Sequence, residues 1–274
     1  MICSRGNPEA LQATCLGLAN TARYPERLRF RIRADDDDRF TVGACARLSR
    51  RMNLEAIIGP RPESLGAEVN RLVASVEADH YAIMGDDVQP YTLHWDLALD
   101  RTEQDLTCWA LQHPEQPPDY PIVSKYWIKA CGGRVFTDRF PFWFDDRWLA
   151  EVGILVYGRL PPALPIGLHA HKTRTQRMRD LPLWLEYYGV LEPERVAQAQ
   201  EIADWLFALG RLGKQGFIKD KRLEQLEDMR RFHAAYTAEA LRILAPLHDL
   251  APPDPAYLRA KVRAEAHLHR MKAA

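Results

Sequence analysis

The sequence predicts an α/β fold, an open sheet with flanking helices, followed by a helical carboxy-terminal region. In the first half, short apolar runs alternate with amphipathic stretches, as in βαβ units. Acidic clusters follow three of the strands or strand-like runs. After about residue 175 the apolar residues recur at longer helical spacing. We therefore expect an α/β domain over 1–172 and a helical region over 173–274.

Composition excludes several classes of protein. The 274 residues carry 37 Lys and Arg against 37 Asp and Glu, which argues against binding of nucleic acid through overall charge. The five cysteines are widely spaced without a CxxC pair, so neither a disulfide framework nor a zinc finger is indicated. No secretion signal and no transmembrane segment is visible, which predicts a cytoplasmic protein. Basic residues at 214–222 leave peripheral contact with an anionic membrane open, beside a solvated helix face.

The first strands and helices follow from local patterns. Residues 1–3 are expected to form a short first strand, and Pro8 suits the first turn of the helix after it. Apolar residues alternate with arginines over 28–33, which predicts a half-buried second strand. A helix is expected over 41–51.

The same alternation continues to the middle of the chain. A third strand is expected at 55–58, with Ser64 as the N-cap of the next helix. A fourth strand is expected at 80–84. Residues 122–130 fit either a strand or a helix, and the prolines of 160–168 predict a segment that crosses the surface or joins two parts. The later helical patterns cover 178–189, 193–212, 219–245 and 254–272.

The acidic clusters suggest a cation site. They comprise residues 35–38, the pair Asp86 and Asp87, and the pair Asp145 and Asp146. Loops at the carboxyl ends of parallel strands converge on one crevice, and crowded carboxylates repel one another unless a cation is present. Oxygen ligands favour Mg²⁺ or Mn²⁺, which commonly bridge carboxylates to substrate phosphates. The alternative is that each cluster solvates a turn or caps a helix.

Short motifs follow the predicted strands in order: the turn at Ser4, Arg5 and Gly6, the acids after strand two, Gly59-Pro60-Arg61 after strand three, Asn70 in the next helix, and Gly85-Asp86-Asp87. In this order they resemble the glycosyltransferases of the GT-A fold, in particular family 2. The resemblance covers roughly residues 1–170 and implies an open mixed sheet. Strictly, the DxD motif of that family would require an acid at position 85 or 88, where this chain has Gly85 and Val88. Asp87 is therefore the best metal ligand by position.

The resemblance implies roles for these residues at a nucleotide-sugar donor. Asp35 or Asp36 would accept hydrogen bonds from the base or ribose, and Arg61 would meet a phosphate or the base. The implied metal, Mn²⁺ or Mg²⁺, would lie on Asp87 with Asp86. The nucleotide would further be lined by Ser4, Arg5, Gly6, Asn70 and Asp86, and late ligands to the metal or diphosphate would be His171 and His169. As alternatives, Arg61 is an exposed loop arginine, Asn70 a helix-surface amide, and the histidines solvated or structural.

An aromatic and acidic constellation suggests the catalytic base. Phe144 precedes Asp145 and Asp146, and an acid at this place removes the acceptor proton in inverting members of the resembled family. Aromatic neighbours exclude water and raise the pKa of a nearby carboxyl group. Asp145 or Asp146 is thus the expected base, and helix capping is the alternative.

The resemblance implies a metal-dependent transfer of a sugar from a nucleoside-diphosphate donor to a hydroxyl acceptor of unknown identity. A sugar-phosphate nucleotidyltransferase is the nearest rival, although the turn after strand one has only one glycine. A non-catalytic interaction module that retains the fold is the rival from another class. No P-loop and no GxGxxG dinucleotide fingerprint is present in the sequence.

Overall fold

The computed structural model describes residues 1–62, 64–101, 105–110, 120–140, 144–158, 163–170 and 187–212, together with residues 262 and 266. The amino-terminal part alternates strands and helices as predicted: β1 (Ile2–Ser4), α1 (Pro8–Thr21), β2 (Phe30–Asp35), α2 (Arg39–Leu48), β3 (Leu54–Gly59) and α3 (Leu65–Ala74). The remaining elements are β4 (His80–Ala82), β5 (Val88–Pro90), β6 (Leu106–Ala110), β7 (Pro121–Ser124), α4 (Lys125–Ala130), α5 (Asp145–Tyr157), β8 (Ala163–Ala170) and α6 (Glu192–Ala208).

Two sheets organise the described residues. β1, β2 and β3 form a parallel sheet in that order, with Ile2 opposite Ile32. The second sheet has the order β4-β7-β6-β8-β5 and is mixed, since β6 and β8 run parallel while its other pairs are antiparallel. A parallel bridge between Ile2 and Met84 connects β1 to the chain just after β4. The open mixed sheet expected from the sequence is confirmed.

Local capping explains why the first helices begin where they do. Pro8 occupies the first turn of α1, where its missing N–H costs nothing. Asp38 accepts a hydrogen bond from Thr41 N at the start of α2, and Ser64 accepts one from Ala67 N at the start of α3. The prediction of Ser64 as an N-cap is therefore confirmed.

Two apolar clusters form the core. One lies between the parallel sheet and helices α1 and α2, and it includes Leu11, Ile32 and Leu48. The other contains residues of α3, β7, α4, α5 and α6, with Trp127 and Ile154 fully buried. The second cluster runs without interruption from the α/β part into residues 187–206, so α6 shares a core with the strands.

Two expectations change in the second half. Residues 122–130, which fit strand or helix, contain both, because Ser124 ends β7 and caps α4 through Tyr126 N and Trp127 N. Residues 160–168 were expected to cross the surface or join two parts, and this was wrong for 163–168, which belong to β8. The strand tolerates Pro165 because the pairing of β6 with β8 is irregular there: Trp109 pairs with Leu164, but Ala110 pairs with Gly167.

The carboxy-terminal region is described only in part. α6 corresponds to the helix predicted over 193–212, and it packs against α5. The boundary expected at 172/173 lies outside the described residues, as do the loop around 112–119, most of the helix over 178–189, the basic stretch at 214–222 and nearly all of 219–274. No helix among the described residues is both long and apolar enough to span a membrane.

Candidate active site

The carboxyl ends of the parallel strands meet at one edge of the sheet. β1 ends at Ser4, β2 at Asp35 and β3 at Gly59. The bridge from Ile2 to Met84 brings the chain after β4 to the same edge, next to β1. Loops at this edge form the ligand crevice in open α/β sheets. The segments that carry the predicted donor and metal residues therefore converge.

Asp86 is held against the first strand and the first helix. Ser4 Oγ donates a hydrogen bond to Asp86 Oδ2 over 2.7 Å, and Thr14 Oγ1 on α1 donates to the Asp86 carbonyl oxygen over 2.9 Å. Burial raises the pKa of the Asp86 carboxyl; the hydrogen bond from Ser4 opposes this shift, and the charge of Asp87 adds to it. A cation next to these two acids would offset both the burial and the repulsion.

Asp87 lies directly over Gly85. A Cβ atom built on Gly85 would stand 2.6 Å from Asp87 Oδ1, so glycine leaves room for this carboxylate where a strict DxD motif has an acid. Asp87 itself is half-buried and immediately precedes β5. The two acids thus present carboxylates from a turn between β4 and β5.

The backbone of β8 reaches this turn. β5 and β8 are antiparallel, with Val88 opposite Ala170 and Gln89 opposite His169. The strand pairing therefore ends next to Asp87, and His171 is the following residue in the sequence, outside the described residues. Within the described ranges, no group of three or more His, Cys, Asp or Glu residues is arranged to hold a metal.

Arg5 joins two of the four acids that follow β2. Its Nη1 donates to Asp37 Oδ1 over 2.6 Å and its Nη2 to Asp37 Oδ2 over 2.9 Å, and the same guanidinium contacts buried Asp35. The hydrogen bond from Arg5 lowers the pKa of Asp37. Arg33 lies 3.6 Å from the other oxygen of Asp35. Asp35 is therefore placed between two arginines, which fixes the turn after β1 to the end of β2.

The other two acids of the cluster differ in role. Asp38 caps α2 and also accepts a hydrogen bond from Gly6 N over 2.6 Å, while Gly6 has a φ of 68° that favours glycine. Asp36 is exposed, and its backbone N–H donates to Gly59 O over 2.8 Å. The helix-cap alternative thus describes Asp38, whereas Asp36 projects from the same edge toward solvent.

Arg61 follows β3 and lies close to the acids of the neighbouring loop. It is half-buried, and its charge contributes to lowering the pKa of Asp37. The structure thus brings Arg5, Arg61 and Asp37 together at the end of the parallel strands. Two guanidinium groups at this place are suited to phosphate or to a nucleobase edge.

Asp145 and Asp146 are the first two residues of α5. Phe144 is the N-cap, with a φ of 76°, so neither acid is the cap. Asp145 is only 6% exposed, and neither of its carboxylate oxygens has a hydrogen-bond partner among the residues that the structure describes. Burial raises its pKa well above the ordinary value, and the charges of Asp146 and Asp138 add to the shift. Such a carboxyl group takes up a proton readily once it is ionised.

Asp146 has a different environment. It is half-buried, and its Oδ1 accepts a hydrogen bond from Arg147 N over 2.8 Å. Burial raises its pKa, whereas the charge of Arg147 lowers it. The two adjacent carboxyl groups therefore differ in solvent access. Asp146 is the more exposed of the two, so a substrate reaches it more easily.

Asn70 does not join the donor residues. Its Oδ1 accepts hydrogen bonds from Val135 N over 2.8 Å and Phe136 N over 3.0 Å, and its Nδ2 donates to Phe136 O over 2.8 Å. The amide is thus engaged with the backbone of the segment that leads to Asp145. This corrects the expectation of a nucleotide ligand, because the amide groups are already used by the chain itself.

Sequence reasoning missed a buried ion pair between β2 and α3. Arg33 Nε donates to Glu68 Oε2 on α3 over 2.7 Å, and both side chains are almost fully buried. Arg33 also donates to the carbonyl oxygens of Ala34 and Pro60. In the alternating pattern of β2 this arginine was expected on the solvated face, and only the position of α3 over the strand shows otherwise.

Comparison with solved structures shows which fold this is. The chain is similar to residues 1–349 of TarS from S. aureus in complex with UDP, with 11% identity and a TM-score of 0.54 over 75% of this chain and 69% of that one. The complex of the same protein with UDP-GlcNAc gives 13% identity and a TM-score of 0.52 over 75% and 70%.

A second solved protein covers more of the chain. The mannosyltransferase PcManGT from Pyrobaculum calidifontis, in complex with GDP-Man and Mn²⁺, matches with 11% identity and a TM-score of 0.52 over 97% of this chain and 84% of that one. No family model and no curated protein matches the sequence. The structural similarity shows the GT-A-like fold of glycosyltransferases, as the sequence predicted.

Proposed function

We propose that this protein is a metal-dependent glycosyltransferase that moves a sugar from a nucleoside-diphosphate donor to a hydroxyl acceptor. The observation that carries the proposal is the convergence of Ser4, Arg5 and the Asp86–Asp87 turn at the carboxyl edge of a GT-A-like sheet. Solved proteins of this fold hold UDP, UDP-GlcNAc, or GDP-Man with Mn²⁺.

The Asp86–Asp87 turn fits a divalent cation. Two adjacent carboxylates, one of them half-buried with a raised pKa, form a small oxygen-rich site in which a cation would offset the repulsion. Mg²⁺ and Mn²⁺ are commonly bound by one or two carboxylates together with substrate phosphates, so a third protein ligand is not required. Held by Asp87 with Asp86, such an ion would balance charge on the departing diphosphate.

His169 and His171 remain proposed ligands of the metal or the diphosphate. The support is the register of β5 and β8, in which Ala170 lies opposite Val88, the residue after Asp87. An imidazole at this place would meet either the metal or the diphosphate.

The donor nucleotide would lie over the loops after β1, β2 and β3. Arg5 and Arg61 supply positive charge to the diphosphate or the base, and Ser4 and Gly6 line the turn beside it. Asp36 would accept hydrogen bonds from the ribose or the base, since it is exposed at this edge, whereas the other exposed acid, Asp37, is paired with Arg5. Asp35 would act indirectly, because it holds Arg5 in place.

Asp145 or Asp146 would serve as the base in an inverting reaction. The acceptor oxygen bonds to the anomeric carbon, the bond from that carbon to the diphosphate breaks with its electron pair on the diphosphate, and the acceptor proton passes to the carboxylate. The raised pKa of both groups suits this task, because a carboxylate with a raised pKa binds the acceptor proton more strongly. The smaller exposure of Asp145 favours Asp146 as the residue that meets the acceptor.

The test is turnover of nucleotide sugars with Mn²⁺ or Mg²⁺, in wild type and Asp87→Asn. We expect metal-dependent release of nucleoside diphosphate by the wild type and its loss in the variant. Asp100→Asn is a matched control, since Asp100 is an exposed acid that pairs with Arg27 and has none of the roles proposed for the site. Absence of turnover with UDP-, GDP-, CDP- and dTDP-linked sugars would refute the proposal.

The base is tested by Asp145→Asn and Asp146→Asn separately. The variant that removes the base should lose transfer while it retains nucleotide binding. Normal transfer rates in both variants would show that neither carboxylate is the base.

A further inference from the structure

Helix α3 contacts both the strand that carries the donor loop after β2 and the segment that leads to the two acids of α5. On one face it carries Glu68, which is paired with Arg33 at the end of β2. On another it contacts the segment 135–140, which leads to α5 and its two acids. We propose that α3 sets the position of the catalytic carboxyl pair relative to the donor, and that Asn70 is a positioning residue for the transfer reaction. This inference rests on the proposed function.

The segment 135–140 has no helix or strand of its own, so its backbone groups need other partners. Asn70 supplies three hydrogen bonds, two accepted from the N–H groups of Val135 and Phe136 and one donated to Phe136 O. The side-chain amide thereby pairs with this segment as a neighbouring strand would.

Two further contacts continue the attachment along the helix. Ser64 Oγ donates to Phe140 O over 2.9 Å. Gly66 packs so closely against the carbonyl of Thr137 that no Cβ would fit there, and the same Cβ would stand 3.0 Å from each carboxylate oxygen of Asp145. The segment therefore runs antiparallel to α3, from Asn70 to Ser64, and the Asp145 carboxyl group returns to its first turn.

On the donor side, the attachment is a chain of charges that is buried from Glu68 to Asp35 and ends at exposed Arg5. Glu68 accepts from Arg33 over 2.7 Å, and Arg33 contacts Asp35, which contacts Arg5. Arg33 also binds the carbonyl of Pro60, at the start of the loop before α3. A displacement of α3 would therefore change the position of the acids relative to the donor loops.

The reaction is sensitive to this distance. A base must lie within hydrogen-bond reach of the acceptor hydroxyl while that oxygen is aligned with the anomeric carbon. A misplacement of about 1 Å costs on the order of a hundredfold in rate. Loss of the Asn70 contacts should therefore act on the chemical step and leave the binding of the nucleotide unchanged.

The test compares Asn70→Leu, which removes all three hydrogen bonds at similar volume, with Asn70→Asp, which keeps both acceptor contacts and loses the donor. We expect kcat to fall about tenfold or more in Asn70→Leu and less in Asn70→Asp, with a changed pH profile of kcat and an unchanged Kd for UDP or GDP. Ser124→Ala is the control, because it removes a buried helix cap whose hydrogen bonds among the described residues go to Asp105, Tyr126 and Trp127 and not to α3 or 135–140. It should lower Tm without changing the pH profile.

A second measurement needs no substrate. Carboxyl NMR titration of Asp145 should give a lower pKa in Asn70→Leu than in the wild type, because the loosened segment admits water to the carboxyl group. If the Asp145 pKa is lower in Asn70→Leu but the wild type turns over no nucleotide sugar, the proposed function is refuted and the positioning of Asp145 by Asn70 is supported. An unchanged kcat, an unchanged pH profile and an unchanged Asp145 titration in a folded Asn70→Leu protein would overturn the inference.

Discussion

Replacing Gly66 with alanine tests how closely α3 packs against Thr137 and Asp145. The added methyl group would overlap the Thr137 carbonyl oxygen and stand 3.0 Å from both oxygens of Asp145. Overpacking of this kind costs about 1–3 kcal/mol, against a gain of up to about 1 kcal/mol from the higher helix propensity of alanine. We therefore expect Gly66→Ala to lower the free energy of unfolding by about 1–2 kcal/mol.

Gly43→Ala on α2 is the matched control. An added Cβ there would meet only Arg47 Nη1, at an ordinary contact distance of 3.5 Å. The same substitution should stabilise the protein by about 0.5–1 kcal/mol, since nothing opposes the gain in helix propensity.

Urea unfolding of the two variants and the wild type measures the difference. One variant should be less stable and the other more stable than the wild type, with a difference of about 2 kcal/mol between the two variants. Gly66→Ala should also lower turnover, because it displaces Asp145. Equal stabilities of Gly66→Ala and Gly43→Ala would refute the close packing of Gly66 against Thr137 and Asp145.

Three further predictions concern burial and capping. The raised pKa of Asp145 means that ionisation costs the folded state free energy, so wild-type stability should fall as the pH rises from about 4 through that pKa, and the Tm advantage of Asp145→Asn should grow over the same range. Arg195→Leu should cost about 3–5 kcal/mol in urea unfolding, because it leaves Glu151 buried without its 2.7 Å partner. Asp38→Ala should cost about 0.5–2 kcal/mol through loss of the α2 cap.

For each of the three variants, one result would contradict the expected outcome. A Tm difference between Asp145→Asn and wild type that is constant with pH would show that Asp145 does not titrate abnormally. A decrease of less than about 1 kcal/mol in the free energy of unfolding of Arg195→Leu would show that the ion pair does not stabilise the packing of α6 on α5, because breaking a buried pair usually costs more. Asp38→Ala with wild-type stability would contradict the cap.

Local signals in the sequence predicted the elements around the donor edge. Pro8 and Ser64 act through their own backbone and nearest neighbours, so their positions at helix starts follow from the sequence alone. The order of short motifs likewise predicted the GT-A-like fold, which depends on the succession of strands and helices. The acids after the strands were expected to converge. Ser4 contacts Asp86 and Arg5 contacts Asp35 and Asp37 at the end of β1, while the meeting of Asp145 and Asp146 with these acids stays a prediction.

Contacts between distant segments could not be predicted in this way. Arg33 has the same spacing as the other arginines of its strand, and it is buried only because Glu68 arrives from a helix 35 positions later. Asn70 was expected at the nucleotide because its place in the helix matched a motif, whereas its partners lie 65 and 66 positions further on. The prolines of 160–168 indicated a surface crossing, since a β-bulge that accommodates Pro165 has no local signature.

The central claim is that the Asp86–Asp87 turn binds a nucleoside diphosphate through a divalent cation. Isothermal titration of UDP and GDP into the protein, with Mn²⁺ and with EDTA, tests it most directly. We predict binding of at least one nucleotide that requires Mn²⁺ and is lost in Asp87→Asn but retained in Asp100→Asn. Binding that is unaffected by EDTA or by Asp87→Asn, or no binding of either nucleotide, would contradict the claim.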